Sequence, residues 1–263
     1  MLAPASVDVF FSPGYRWESY GYAAGDDVYG SQPLLAGRTY GQTFNAAVFS
    51  PSPSFGPMVE GNSLGTTDAF VEGFLVDAAN RGATSTGVSQ IYPQGWLYEG
   101  SKLLAHVSGG DGRVAAKIAA TAHTYTLKVE ATRPGGGISK SVTASYTFTA
   151  KAGNTSLQTS NFSPRMLPQN LSASNAAAAG STTSVPITFS TVNGVIAAHD
   201  VAVWASSNGG KTWSALKVAH HGSAWTVSVA NPKAAGYVSL RVQGEDAAGS
   251  KTEVTVIDAY GVS

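Results

Sequence analysis

Hydrophobic and polar residues alternate along much of the chain, a pattern typical of β-strands that bury one face and expose the other. The clearest alternation runs through residues 123–131 and again through residues 141–148. The glycine-rich segment 133–137 separates the two runs, so together they predict a β-hairpin. The side chains expected to face the core are Tyr125, Leu127, Val129, Val142, Ala144, Tyr146 and Phe148.

Shorter runs predict strands on both sides of this hairpin. Before it, we predict strands at residues 69–76, 90–98 and 113–119, with a tight turn at 99–101. After residue 182, short runs recur at intervals of roughly 10–13 residues, which is typical of the strands of an immunoglobulin-like sandwich. These predicted strands are residues 185–190, 200–206, 214–219, 224–229, 236–243 and 252–259, preceded by one near 156–162.

The segment between residues 150 and 181 interrupts the alternation. It contains two prolines and an alanine-rich run at 172–180, which together predict a domain junction near 150–160, then a strand, then a flexible loop. We therefore predict an all-β protein of two tandem β-sandwich domains, immunoglobulin- or fibronectin-like. The first domain covers residues 1–152 and begins with an irregular, aromatic-rich segment, and the second covers residues 153–263.

Composition narrows the classes of protein to which the chain can belong. The 16 basic and 16 acidic residues cancel, so a nucleic-acid-binding protein is not indicated. The chain has no cysteine, which excludes disulfides, thiolate metal sites and cysteine nucleophiles. No apolar run approaches the length of a membrane-spanning helix. Abundant glycine and small polar residues beside few Lys, Glu and Leu favour strands over surface helices. We expect a secreted, extracellular protein, although residues 2–5 do not resemble the start of a signal peptide.

The chain carries none of the common catalytic sequence motifs. The zinc-protease, nucleophile-elbow and P-loop patterns are absent. None of the histidines lies in a glycine-rich turn beside an acidic residue, although a triad assembled from distant residues would leave no local pattern. His220 and His221 would point to opposite faces of a strand, so we interpret them as turn residues rather than a metal-binding pair. We predict no catalytic residue, no metal site and no cofactor. The five histidines are His106, His123, His199, His220 and His221.

The most specific local pattern is a hairpin turn at residues 206–213. It resembles the Asp-box, with Asn208 in the position of the aspartate. The amide side chain is expected to bond backbone groups, glycine permits the tight bend, and the tryptophan packs beneath. The pattern occurs once, which does not indicate a propeller. We interpret Ser206, Asn208, Gly210 and Trp213 as a structural turn.

Aromatic residues near the N-terminus are the best candidates for ligand binding. The four residues are Tyr15, Trp17, Tyr20 and Tyr22. Flat rings give a large contact area at low entropy cost, and they can stack on sugars or on extended peptides. The alternative is that these rings only cover the first sandwich, in a segment that has few aliphatic side chains.

The C-terminal residues carry a family resemblance. Residues 236–249 and 255–261 resemble the closing segment of large secreted actinobacterial subtilisin-like serine peptidases, which often contain V-S-L-R-x-x-x-x-D-x-A-G-N followed by T-V-I-x-A-Y-G. Ser250 stands where asparagine is usual in that pattern. Residues 201–213 are similar to an S-x-D-G-G-x-T-W hairpin of the same proteins. Further segments that fit their pre-terminal region are residues 37–40, 45–49 and 95–100.

The resemblance implies a non-catalytic C-terminal part of a secreted peptidase, or a free-standing relative of one. The D-[ST]-G, H-G-T-H and G-T-S-M motifs of the subtilisin catalytic domain are absent, so no catalytic residue carries over and we expect no enzymatic activity from this chain. The implied role is to position the enzyme, to bind substrate or a surface, or to stabilise the catalytic domain. The implied partners are the peptidase catalytic domain or a protein or polysaccharide surface.

Three alternatives stay open on the sequence. The chain could be a free-standing carbohydrate- or cell-wall-binding module, an enzyme with an unrecognised site, or a structural or assembly protein. The sequence does not discriminate among these three alternatives, and it does not indicate an oligomeric state.

Overall fold

The structure is a computed structural model in which the secondary structure is β throughout. The residues that it describes are 8, 10, 16–23, 26–33, 35, 37–41, 43–52, 58–61, 66–70, 74–79, 82–84, 93–109, 113–133, 137–152, 157–158, 162–191 and 193–263. These residues form 21 strands and no helix, and consequently no helix among them is long and apolar enough to cross a membrane. The all-β prediction is confirmed.

The strands fall into four sheets. The first ten are β1 (Arg16–Ala23), β2 (Asp26–Pro33), β3 (Met58–Gly61), β4 (Thr67–Phe70), β5 (Gly82–Thr84), β6 (Gln94–Glu99), β7 (Lys102–Ser108), β8 (Val114–Ala116), β9 (His123–Thr132) and β10 (Ser141–Ala150). The remaining eleven are β11 (Leu157–Gln158), β12 (Ser163–Met166), β13 (Ala176–Ala177), β14 (Thr182–Thr191), β15 (Gly194–Ile196), β16 (His199–Ser206), β17 (Ser214–Ala215), β18 (Val218–His221), β19 (Ala224–Ala230), β20 (Gly236–Glu245) and β21 (Lys251–Val262).

One long sheet contains strands from both halves of the chain. Its order is β17-β16-β20-β21-β10-β9-β6-β7, with the short strand β13 also paired to β21. Strands β10 and β21 are antiparallel, with a register that runs from Ser141 opposite Ile257 to Thr147 opposite Lys251. The two halves are therefore joined by backbone hydrogen bonds as well as by the chain itself.

The second half has the strand order of an immunoglobulin sandwich. Its small sheet has the order β12-β14-β19-β18, and it packs against β16, β20 and β21 of the long sheet. With these seven strands lettered A to G along the chain, the two sheets read ABED and CFG, which is the constant-type immunoglobulin order. The predicted immunoglobulin-like sandwich of the second half is confirmed.

The first half completes a second sandwich on the rest of the long sheet. A sheet of order β11-β3-β4-β8 packs against β6, β7 and β9. The hairpin of β1 and β2 forms a separate sheet with β5. A row of buried residues faces the core across five strands of the long sheet: Val129, Ala144, Val254, Val242 and Val203 lie directly opposite one another. The β12-β14-β19-β18 sheet and the β11-β3-β4-β8 sheet therefore cover the same face of the long sheet. The other face of the long sheet points to solvent.

The predicted domain boundary between residues 152 and 153 does not separate two sheets. Strand β10, before the boundary, pairs with β21, and strand β11, after it, pairs with β3. The division at this position stays a prediction. The structure adds that the two predicted domains share one sheet and one continuous cluster of buried apolar residues.

The prediction of irregular coil is wrong for residues 16–33. Strands β1 and β2 pair along their whole length, from Arg16 opposite Pro33 to Ala23 opposite Asp26. Aromatic residues favour strands, and Tyr20 lies directly opposite Tyr29 in this hairpin.

Two further local predictions are wrong. Ala176 and Ala177, expected in a flexible loop, pair in parallel with Gly261 and Val262, because their small side chains let the backbone approach β21 closely. The histidines at 220 and 221, expected in a turn, are the last two residues of β18 and pair with β19. Alternation in this strand is hidden by its exposed position at the edge of the small sheet.

Candidate binding face

The solvent-facing side of the long sheet carries polar and aromatic side chains. One row crosses five strands through Trp96, Lys128, Ser145, Glu253 and Gln243, which lie directly opposite one another. All five residues are partly exposed. We call this side of the sheet the outer face.

Rings and an aliphatic side chain are grouped at the β6–β7 end of the outer face. Trp96 and Tyr98 flank the buried Leu97 in β6, so both lie on the face opposite the core. In β7, His106 lies opposite Trp96, and Leu103 lies opposite Tyr98. We call this group the edge patch; its members are Trp96, Tyr98, Leu103, His106 and Lys128.

The edge patch is ordered by a stack of side chains. The rings of Trp96 and His106 are nearly parallel, with centroids 4.9 Å apart and an interplanar angle of 10°. On the other side of the indole, Lys128 Nζ lies 4.7 Å from the ring centroid, where the ring quadrupole attracts the ammonium group. Lys128 also lies 3.6 Å from a carboxylate oxygen of Glu130. Trp96 is therefore held on both faces, and His106, on the last strand of the sheet, is the outer ring of the stack.

The structure describes the backbone of three of the four predicted aromatic residues. Tyr15 lies outside the described residues. Trp17, Tyr20 and Tyr22 belong to β1, whose backbone pairs with β2. Binding by these residues stays a prediction.

The predicted turn motif lies at the far end of the outer face, next to β16. Asn208 Oδ1 accepts the backbone N–H of Thr212 at 3.0 Å and the hydroxyl of Ser206 at 2.8 Å. Ser206 Oγ accepts the backbone N–H of Gly210 at 3.0 Å. Trp213 lies against Gly210, and the Arg241 guanidinium is 4.5 Å from the Trp213 ring. The four motif residues are thus brought together in a hydrogen-bonded turn, as the motif predicts.

The remaining histidines make separate contacts. His199 Nδ1 lies 3.0 Å from Asp200 Oδ2, and the ring of His220 stacks on Trp225 with centroids 3.9 Å apart. The hydrogen bond to Asp200 is the main cause that raises the pKa of His199 above its ordinary value. Among the residues that the structure describes, no group of three or more His, Asp or Glu side chains could hold a metal ion.

His123 is the one histidine in the described part of the chain with both a hydroxyl and a carboxylate on its ring. Its Nε2 lies 3.1 Å from Thr121 Oγ1, and its Nδ1 lies 2.5 Å from Glu99 Oε1. This order of groups is that of a catalytic triad, but a triad needs an acid held in place away from water. Here 44% of the His123 side chain and 33% of the Glu99 side chain are exposed, so the pair is solvated. We interpret it as a surface link between the β6–β7 turn and the start of β9.

Two of the buried tyrosines, Tyr146 and Tyr260, make structural hydrogen bonds. Burial raises the pKa of Tyr260 to about 12, and its hydroxyl donates to Asn231 Oδ1 at 2.9 Å. Burial also raises the pKa of Tyr146, which hydrogen-bonds Ser163 at 3.1 Å. Neither phenol is adjusted for proton transfer near neutral pH.

Sequence reasoning missed the edge patch. The signal was present in the order Trp96, Leu97, Tyr98, because a strand that buries the leucine must turn both rings to the other face. The stacking partners His106 and Lys128 come from neighbouring strands, and their positions depend on the register of β7 and β9 against β6.

Comparison with known proteins identifies no family. No protein-family profile and no curated protein matches the chain. The chain is similar to the crystal structure of the titin domains z1z2 in complex with telethonin, at 14% identity over 82% of this chain and 94% of that chain, with a TM-score of 0.20. It is also similar to a chimeric titin Z1Z2 functionalized with a KLER exogenous peptide from decorin, at 16% identity over 84% of this chain and 96% of that chain, with a TM-score of 0.20. Similarity at this level carries no functional argument, and the fold assignment rests on the strand order.

Proposed function

We propose that this chain is a non-catalytic binding module and acts as the accessory region of an extracellular subtilisin-like serine peptidase. The observation that carries the proposal is the edge patch. Leu103 is 49% exposed beside the half-buried Trp96 and Tyr98 and the exposed His106. Aromatic and apolar side chains grouped on one solvent-facing surface favour contact with a partner.

The segments that resemble the peptidase C-terminus contribute to the scaffold of the module. Residues 236–249 and 255–261 cover most of β20 and β21, which carry the buried Val242 and Val256. Residues 201–213 cover most of β16 and the turn after it. A resemblance in scaffold residues supports common ancestry of the fold and leaves the ligand to be decided by the exposed faces.

The proposed role is to hold the peptidase at its substrate or at a surface that carries the substrate. A module that binds a surface converts the encounter of enzyme and substrate into an intramolecular event, which raises the effective substrate concentration. The pairing of β10 with β21 supports this role, because a ligand on the first sandwich is then held at a defined orientation to the second. Catalysis is left to a separate domain, in keeping with the absence of the subtilisin motifs.

Depletion of the purified chain by insoluble materials tests the binding part of the proposal. The chain is mixed with casein particles, elastin, cellulose and chitin, and the unbound fraction is measured. We expect at least one material to deplete the chain, and His106→Ala to weaken that binding. His220→Ala is the matched control, because it also removes an exposed histidine stacked on a tryptophan. If none of the materials depletes the chain, the proposal of a binding module is overturned.

The peptidase part is tested on the native product from the producing cells. Mass and N-terminal sequence are measured together with casein hydrolysis. We expect a longer product whose activity is blocked by a serine-peptidase inhibitor. A native product limited to these 263 residues, without casein hydrolysis, would contradict the link to a peptidase.

A further inference from the structure

We propose that the edge patch binds a neutral polysaccharide. This inference rests on the proposed function and names the chemical class of its ligand. Three properties of the patch support it: the geometry of its rings, the polar groups around them and the balance of charge.

The patch offers two rings that a sugar chain can contact, the Tyr98 phenol and the His106 imidazole. Trp96 and Tyr98 are two residues apart on one strand and therefore about 7 Å apart on the same face. The imidazole of His106 is backed by Trp96 on the inner side and lies on the last strand of the sheet. Its outer face and the Tyr98 ring can meet the C–H faces of sugar rings, and the exposed aliphatic side chain of Leu103 extends the apolar contact.

Hydrogen-bond donors and acceptors lie next to the rings. Thr126 lies opposite Tyr98 in the next strand, and its hydroxyl is 3.2 Å from that of Thr147 in β10. Gln94 and Glu130 lie opposite each other one row beyond Trp96. Hydroxyl and amide groups donate and accept hydrogen bonds, which matches the hydroxyl groups of a sugar. The apolar rings and this polar border together match a ligand with apolar ring faces and polar edges.

The charge of the patch favours a neutral ligand. The Lys128 ammonium is 3.6 Å from a Glu130 carboxylate oxygen and lies over the Trp96 ring, so its charge is compensated within the patch. The outer face continues this balance, since Lys251 lies 3.1 Å from a Glu245 carboxylate oxygen. A surface that recognises a polyanion or a polycation presents an excess of one sign. We therefore assign neutral rather than acidic polysaccharides to the patch.

Affinity gel electrophoresis of the whole chain tests the inference. The gels contain hydroxyethyl cellulose, soluble starch, laminarin or polygalacturonate, and the mobility of the chain is compared with that of a non-binding protein. We expect retardation by at least one neutral polymer and none by polygalacturonate. Tyr98→Ala and His106→Ala should each weaken binding by about tenfold, on the scale of one well-placed ring contact. His220→Ala should not change it.

Each outcome decides the inference. The inference is supported if both edge-patch variants lose the retardation while their circular dichroism and melting temperature stay at the wild-type values. Lack of retardation by every neutral polymer overturns it, as does retardation unchanged in Tyr98→Ala and His106→Ala. If the chain is depleted by casein or elastin but not retarded by any polysaccharide, the binding module stands and only the ligand class is wrong.

Discussion

The guanidinium carbon of Arg133 lies 3.6 Å from the centre of the Phe49 ring, and both side chains are buried. Arg133 also donates to the backbone carbonyl of Ile138 at 2.9 Å. This contact attaches the segment 43–52 to the end of β9. The same segment bonds the second half of the chain, because Asn175 donates to the carbonyl of Asn45 and accepts the N–H of Ala47, each at 2.8 Å. The segment thus connects the two sandwiches at one end.

Removal of the buried cation should destabilise the fold. We expect Arg133→Ala to lower the free energy of unfolding by about 2–4 kcal/mol, because a desolvated cation–π contact and the packing of a long side chain are lost together. Urea denaturation followed by tryptophan fluorescence measures the change. Lys117→Ala, which removes an exposed cation, should have an effect below about 0.5 kcal/mol. Equal midpoints for the two variants would contradict the assigned role of Arg133.

The side-chain amide of Asn175 should matter through both of its hydrogen bonds. Asn175→Asp keeps an acceptor for the N–H of Ala47 but places a carboxylate against the Asn45 carbonyl, so we expect a loss of about 1–3 kcal/mol. Hydrogen exchange at the Ala47 amide should become faster in Asn175→Ala, because its side-chain acceptor is removed. Unchanged exchange at this amide in the alanine variant would show that the bond does not protect it.

The hairpin turn should be sensitive to a single methyl group. A Cβ at Gly210 would lie 2.7 Å from Ile257 Cδ1 and 3.2 Å from the Trp213 ring, at a φ of +80°. Gly210→Ala should cost about 2 kcal/mol, because the positive φ is strained and the Trp213 ring has to shift, whereas Ile257 Cδ1 ends a flexible side chain and can move aside. Gly222→Ala is the matched control, since Gly222 has a φ of +61° and no atom within 4 Å of its Cβ position. It should cost only about 1 kcal/mol. If thermal unfolding shows the same loss of stability in Gly210→Ala and Gly222→Ala, packing around Gly210 does not contribute to the effect.

The titration of His199 should depend on Asp200. The hydrogen bond to Asp200 raises the pKa of His199, with smaller contributions from the Asp246 carbonyl and the Glu245 charge. A raised pKa in the folded state means that the stabilisation is complete below the unfolded value, about 6.5, and is lost as the pH rises through the folded pKa. NMR titration should give a lower His199 midpoint in Asp200→Asn than in the wild type. The same midpoint in both proteins would show that Asp200 is not the cause of the raised pKa.

Removal of β10 should expose the edge of β21 and allow it to pair with strands of other molecules. In the whole chain, β10 covers β21 from Lys251 to Ile257. A fragment of residues 162–263 leaves this edge unpaired, and unpaired edges recruit other strands. We expect concentration-dependent association of the fragment in sedimentation. A fragment that stays monomeric at high concentration would support the two predicted domains as independent units.

Local alternation explains which strands could be predicted from the sequence. Strands β9 and β10 begin at the predicted residues, 123 and 141. Hydrophobic and polar residues alternate at successive positions of both strands, and this alternation buries Leu127 and Val142. The turn at residues 206–213 was equally predictable, since its hydrogen bonds join residues no more than four apart. The hairpin of β1 and β2 could not be predicted in this way, because hydrophobic and polar residues alternate over too few positions there to indicate which residues pair across the two strands.

The all-β class, the strands with a buried face and the hairpin turn follow from the sequence alone, because each depends on residues close together in the chain. The pairing of β10 with β21 depends on the folded chain, and so does the register that brings His106 and Lys128 to the two faces of Trp96. Strand pairing is chosen by the free energy of long-range contacts against the entropy of closing the chain between them. Neither quantity has a local pattern, so the shared sheet and the edge patch emerge only when the whole chain is folded.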